Sequence, residues 1–327
     1  MKMNKPKVAL YWCAACGGCD EAVLDLAENI LQLVEKIDIV FWPVALDFKR
    51  SHVEKLKDRE IALCFINGAV RTSEQVEMCE LLREKSQILI AFGSCSHLGG
   101  IPGLANLHNR AAIFDRVYRE VPTIQDRDPV IPLEDIRVPQ GTLTLPIFQD
   151  TVKTLDQVVD VDYYIPGCPP PITLIVDAIT GVLENKLPPT GSVLAPDKPL
   201  CDECPRKKSK PDKLLVKEIR YPYECLIDPE KCLLEQGLLC LGPVTRSGCG
   251  ASCINANMPC TGCMGPTSQV KDFGAKALSA IASILQGTDG NEIAQMVDKI
   301  WDPVGTFYRY SLPSSFLHRK LQAKGGK

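Results

Sequence analysis

Sixteen cysteines in a chain of 327 residues, most of them grouped in short motifs, constrain the fold more than any other feature of this sequence. The amino terminus, MKMNKPKVALYWC, runs from a few lysines straight into a short apolar stretch, without a signal-peptide core, a small-residue cleavage site or a twin arginine. A cytoplasmic location is therefore expected, where thiols stay reduced and clustered cysteines point to metal ligation rather than to disulfides. Cys64 in IALCFING and Cys79 in VEMCELL stand apart and read as buried core thiols.

Other function classes are less compatible with the composition. At 45% hydrophobic and 24% charged, the chain can bury a full core and has room for two domains. A net charge of -3 gives no reason to expect nucleic acid or an anionic membrane as partner. No apolar stretch approaches the roughly 18 to 20 residues that cross a bilayer, and the segment 273–300 is interrupted by Lys276, Gln286, Asp289 and Glu292. The basic stretch PRKKSKPDKLLVKEIR at 205–220 reads as a solvated face, the sharper alternative being a docking surface for an acidic redox partner.

From residue 6 to about 185, short apolar runs alternate with helical periodicities, the pattern of an α/β domain with a mostly parallel sheet. The spacing predicts strands over Lys7–Tyr11, Ile37–Pro43, Ile61–Asn67, Ile88–Phe92 and Val161–Ile165. Helices are expected over Glu21–Val34, Glu74–Lys85 and Ile172–Glu184. Residues 97–157, rich in Pro, Gly and charge, read as a long surface excursion. Beyond LPPTG at 187–191 the character changes: nine cysteines fall between 201 and 263 with little periodicity, a segment that needs metal staples to fold. Two amphipathic helices are expected within 268–300.

The first cysteine constellation follows from position. Cys16 and Cys19 (CGGC) come just after the first expected strand, Cys95 (GSCSH) after the fourth and Cys168 (PGCPPP) after the fifth. Ligands of an open parallel sheet gather beyond the carboxyl ends of its strands, so these four thiols can share one iron–sulfur site. Gly17 and Gly18 let the backbone curl around a sulfide, and Pro169, Pro170 and Pro171 stiffen the chain after Cys168. Cys13, three residues ahead of the pair, reads as a neighbour.

The remaining cysteines divide by spacing into Cys201 and Cys204 (CDEC) with Cys225 and Cys232, then Cys240 with Cys249, Cys253 and the MPCTGC pair Cys260 and Cys263. Nine exceed two sets of four by one. The surplus is Cys249 or Cys253, both in SGCGASC, with Cys253 favoured as ligand. Zinc also accepts such CxxC pairs, but it has no redox chemistry to serve a strand-end cluster in the first domain.

CGGCDE, GSCSHLGGIPG, PGCPPP, CLGPVTRSGC and PCTGCMGP, in this order over nearly the whole chain, resemble the small subunit of nickel-iron hydrogenases. The version most similar is the cytoplasmic, F420-non-reducing (methyl-viologen-reducing) type. The resemblance implies a flavodoxin-like, doubly wound parallel sheet over 1–187 and an iron–sulfur domain with carboxy-terminal helices over 188–327. It also implies three 4Fe-4S clusters: a proximal one on Cys16, Cys19, Cys95 and Cys168, a distal one on Cys201, Cys204, Cys225 and Cys232, and a medial one on Cys240, Cys253, Cys260 and Cys263. Cys201 would stand where periplasmic relatives place a histidine, and Cys249 at a cysteine of the family that is not a ligand. Glu21 matches an acidic residue placed near the subunit interface, against the plainer reading of a helix first-turn carboxylate; His97 reads as structural.

The activity implied is electron relay without a catalytic residue in this chain, the nickel-iron centre lying in a large-subunit partner. The outlet would be a flavin or iron–sulfur subunit, such as a heterodisulfide reductase-like or bifurcating module. Two alternatives compete. A quinone-site subunit of the complex I type would show adjacent cysteines at its cluster and lack the cysteine-rich tail, and a zinc-stabilised interaction protein would lack redox function.

Overall fold

The computed structural model describes residues 5–125 and 130–319. Its strands are β1 (Lys7–Trp12), β2 (Asp38–Phe41), β3 (Ile61–Asn67), β4 (Val70–Thr72), β5 (Ser86–Phe92), β6 (Asp135–Val138), β7 (Gly141–Thr144), β8 (Phe148–Lys153) and β9 (Tyr163–Ile165). Five of them form a parallel sheet in the order β2-β1-β3-β5-β9. Counted along the chain, that is the 2-1-3-4-5 order of a doubly wound sheet, as the sequence leads one to expect.

Both faces of the sheet are covered, which is why its strands read as continuous apolar runs rather than as alternating ones. Val8, Leu10, Leu63, Phe65, Ile90 and Phe92 face one core; Ala9, Cys64, Ile66, Leu89 and Ala91 face the other. The first face is closed by α1 (Gly18–Leu24) and later by α7 (Ile172–Leu183), while α2 (Asn29–Lys36) packs at its margin through the half-buried Ile30 and Leu33. The second is closed by α3 (Arg50–Glu54) and α4 (Ser73–Lys85), which seat Val53, Met78, Cys79 and Leu82. Cys64 and Cys79 are core thiols, and Cys13 joins them, its Sγ 3.7 Å from that of Cys79.

Two expectations needed correction. The single helix over 21–34 is two helices, because α1 turns Ala22 and Val23 inward and the chain then reverses through Ala27, whose φ is +48°. The stretch 97–157 is not a plain surface excursion. After α5 (Ser94–Leu98), a 3-10 turn over Ile101–Leu107 and α6 (Arg110–Asp115), the hairpin of β6 and β7 is exposed, but β8 pairs antiparallel with β4. The buried Asn106 amide clamps β8, donating to the Val152 carbonyl at 3.0 Å and accepting from its N–H at 2.8 Å.

Past residue 187 the chain first adds to the sheet edge, where Ser192 and Leu194 bond the backbone of Tyr164. The cysteine-rich loops follow, carrying two 3-10 turns (Leu200–Asp202 and Lys207–Ser209) and the short α8 (Ser252–Asn255). They pack on α9 (Phe273–Ala282), α10 (Gly290–Asp298) and α11 (Pro303–Phe307), close to the two helices expected there. Phe273, Ala277, Ile281, Met296 and Phe307 form one apolar core with Leu200, Ile219, Leu233, Leu238 and Leu241 of the loops, so metal is not the only staple of this region. Met264 reaches into the sheet's first core and fixes the two halves together. Among the described residues, no helix is long and apolar enough to cross a membrane.

Candidate metal centres

Cys16, Cys19, Cys95 and Cys168 lie near one another at the carboxyl ends of the strands. Pairing between β1 and β3 runs on into the loop, Cys13 N–H bonding the Asn67 carbonyl and Ala14 bridging Ala69. That leaves Cys16 at the loop's outer turn and Cys19 in the first turn of α1. Cys95 opens α5 directly after β5, and Cys168 follows β9 by three residues. Gly17, with φ +89°, makes the turn into α1. Gly93, with φ +85°, passes so close that a Cβ there would lie 2.5 Å from Cys19 Sγ.

The electrostatics of these thiols are mutual. Burial pushes the Cys19 thiol far above its ordinary range, and Cys95, Cys168, Asp20 and Cys16 push it further. Cys95 is raised to about 12 by burial, then by Cys168 and Cys16, against a hydrogen bond from the Ile101 N–H. Cys168 is raised by burial and by Cys16. Four thiolates this close repel one another and lack a cation, so the site suits a metal group that displaces their protons. Asp20 is buried beside them and accepts from Trp42 Nε1 at 2.8 Å and Asn67 Nδ2 at 2.9 Å. Glu21 is exposed in the first turn of α1. His97 packs against Tyr164 and is held down to about 3 by desolvation and by Arg246.

The tail thiols fall into two further neighbourhoods, which meet at Cys240. Cys201 is raised to about 12 by burial, then by Cys240, Cys204 and Cys232, with Lys210 opposing. A Cβ on Gly242 would lie 3.5 Å from Cys240 Sγ and 3.6 Å from Cys201 Sγ, so the two sulfurs flank it. The second group is therefore Cys201, Cys204, Cys232 and Cys240. Cys225, expected with the first three, instead directs its Sγ to the Tyr221 carbonyl at 3.9 Å.

The third group lines a cavity of about 560 Å³ against the Cys168–Pro171 corner: Cys249, Cys253, Cys260 and Cys263. Cys263 is raised to about 12 by burial, with Cys249, Cys168 and Cys253 adding and the Cys168 N–H opposing. Cys249 is raised by burial, then by Glu203 and Cys253, against hydrogen bonds from the Ala251 and Ser252 N–H groups. Cys249 and Cys253 both line this cavity, while Cys240 borders both tail groups: it is the first charged neighbour that raises Cys260, and the Cys260 N–H reaches its Sγ at 3.4 Å. Between Cys240 and Cys249, Thr245 is buried, its carbonyl bonded to Leu200 N–H at 2.7 Å.

The groups adjoin one another. The Cys260 N–H bonds Cys240 Sγ at 3.4 Å, and Cys263 lies near enough to Cys168 for that residue's N–H to oppose the rise of its thiol. Ser94, beside Cys95, donates through Oγ to the Cys263 carbonyl. Gly93, Gly242, Ser94 and Thr245 were not singled out from sequence; their one signal there is adjacency to cysteine motifs.

Residues 16–182, just over half the chain, match the family described as the NADH ubiquinone oxidoreductase 20 Kd subunit, an oxidoreductase subunit class in keeping with the sheet and its strand-end thiols. The chain belongs to this family, and within it to the small subunits of hydrogenases. It is 41% identical to the iron-sulfur subunit of the F420-non-reducing hydrogenase of Archaeoglobus profundus, over 96% of this chain and 98% of that protein. It is 36% identical to a subunit of the F420-non-reducing hydrogenase of Methanothermobacter thermautotrophicus, over 98% and 99%. The structure of the Dm. baculatum [NiFeSe]-hydrogenase shares the fold, with a TM-score of 0.51 at 20% identity over 81% of this chain and 95% of that one.

Proposed function

We propose that this chain is the electron-relay subunit of a nickel-iron hydrogenase complex, holding three 4Fe-4S clusters on its three groups of four thiols. The observation that carries the reading is the continuous neighbourhood of thiols from Cys19 and Cys168 through Cys263 and Cys260 to Cys240 and Cys201, with the Cys260 N–H bonding Cys240 Sγ. Cys16, Cys19, Cys95 and Cys168 would hold the proximal cluster, Cys249, Cys253, Cys260 and Cys263 the medial one, and Cys201, Cys204, Cys232 and Cys240 the distal one. Such clusters supply one-electron transfer when bound. The chain's own part is to fix the thiolates, keep water from the buried ones and donate hydrogen bonds to sulfur.

Cys16 is exposed, with the half-exposed apolar side chains of Trp12 and Ile101 on neighbouring segments, which suits a large subunit carrying the nickel-iron centre on this face. At the other end, Cys201 and Cys204 are partly exposed among Lys207, Lys208 and Lys210, which suits a flavin or iron–sulfur acceptor subunit. The two tail groups favour a hydrogenase role over a quinone-site one.

The test is anaerobic co-expression with a large subunit from the same genome, followed by exposure to H2. Visible iron–sulfur absorption is expected to bleach under H2 and to recover with an added oxidant. Intact clusters that stay oxidised under H2, beside an active large subunit, reject the relay.

A further inference from the structure

Thr245 stands at the junction between the second and third cysteine groups. Its side chain is fully buried, and its Oγ1 lies 2.6 Å from the Leu241 carbonyl and 3.6 Å from Cys260 Sγ. The same few residues carry the other bonds of that junction: Leu241 N–H to the Cys260 carbonyl at 2.9 Å, and Cys260 N–H to Cys240 Sγ. With Cys260 a thiol, its S–H donates to Thr245 Oγ1, and the hydroxyl proton goes to Leu241. Once Cys260 is a metal-bound thiolate it has no proton to give. The hydroxyl then has one proton and two acceptors, a neutral carbonyl and a charged sulfur.

Resting on the cluster reading above, we infer that Thr245 is a positioning residue that sets the reduction potential of the third site, its hydroxyl turning toward Cys260 Sγ as the site gains negative charge. Hydrogen bonds to cluster sulfur favour the reduced, more negative form. Cys260 is buried, where water offers no substitute donor, so the effect of one hydroxyl is undiluted. Pro243 and the bond from Leu200 N–H to the Thr245 carbonyl hold the backbone, so the hydroxyl can rotate without moving the chain.

The experiment is an EPR-monitored redox titration of the complete complex with Thr245→Val, Thr245→Ser and the unaltered protein, each checked for iron and sulfide. Thr245→Val keeps the shape and removes the donor. One of the reduction waves is expected to shift toward the oxidised form about tenfold, or about 59 mV for one electron, while Thr245→Ser stays with the parent. Thr245→Ala serves as the hydroxyl-free variant should Thr245→Val not load. Loaded hydroxyl-free protein with all waves unmoved, or Thr245→Ser shifted as far as Thr245→Val, overturns the inference alone. An unaltered protein without iron and sulfide overturns the cluster reading instead.

Discussion

Cys225 and Cys240 differ in what sequence can reveal about them. Both lie at plausible ligand spacings, and spacing alone places Cys225 with Cys201, Cys204 and Cys232. The proposed division differs because Cys240 neighbours both Cys201 and Cys260, and the buried Thr245 and the room at Gly242 beside it have no periodic signature. The first group is legible because each of its cysteines follows a strand whose apolar run is plain in the sequence. The geometry makes Cys225→Ser a tolerated change: iron per chain should match the parent. Cys240→Ser and Cys249→Ser should each lose up to about four irons. Iron analysis of anaerobically purified variants checks this, and a Cys225→Ser protein short by one cluster would restore the spacing-based division.

At the level of elements, β3 and α4 carry clear signals and their bounds agree with the sequence pattern to within a residue or so. Ile61–Asn67 is a continuous apolar run, and Ser73–Lys85 is introduced by a Thr72 capping box. Thr72 Oγ1 accepts from Gln75 N–H at 3.3 Å, while Gln75 Oε1 accepts from the Thr72 N–H at 3.1 Å and the Arg71 N–H at 2.7 Å. Thr72→Ala is expected to lower stability by about 1 kcal/mol without changing iron content, as read from anaerobic denaturant unfolding. An unchanged midpoint would mean that the cap bears no load. The break between α1 and α2 is hidden because Ile30, Leu31 and Val34 keep the helical period beyond it. Periodicity reports which residues face one way, not whether the axis is continuous. β8 is equally hidden because FQDTVK, half-exposed and polar, pairs at an edge and is held by the Asn106 clamp rather than by apolar burial.

On the scale of the molecule, two kinds of order meet. The parallel sheet would be stable by burial on both faces, and it presents its strand ends as a platform for the first thiol group. The tail builds a second apolar cluster from α9–α11, yet much of the stretch 201–263 is loop wrapped around eight converging thiols. Burial raises most of those thiols, so without metal the region would hold protonated sulfur at points where the chain directs N–H donors to it. Donors aimed at sulfur make sense when the sulfur is anionic, as with the Cys260 N–H on Cys240 Sγ, where two of the proposed sites meet. The measurement that bears most directly on this account is iron and acid-labile sulfide per chain in protein purified without oxygen. Three full sites predict about twelve of each; about four of each, or zinc without sulfide, would contradict the account.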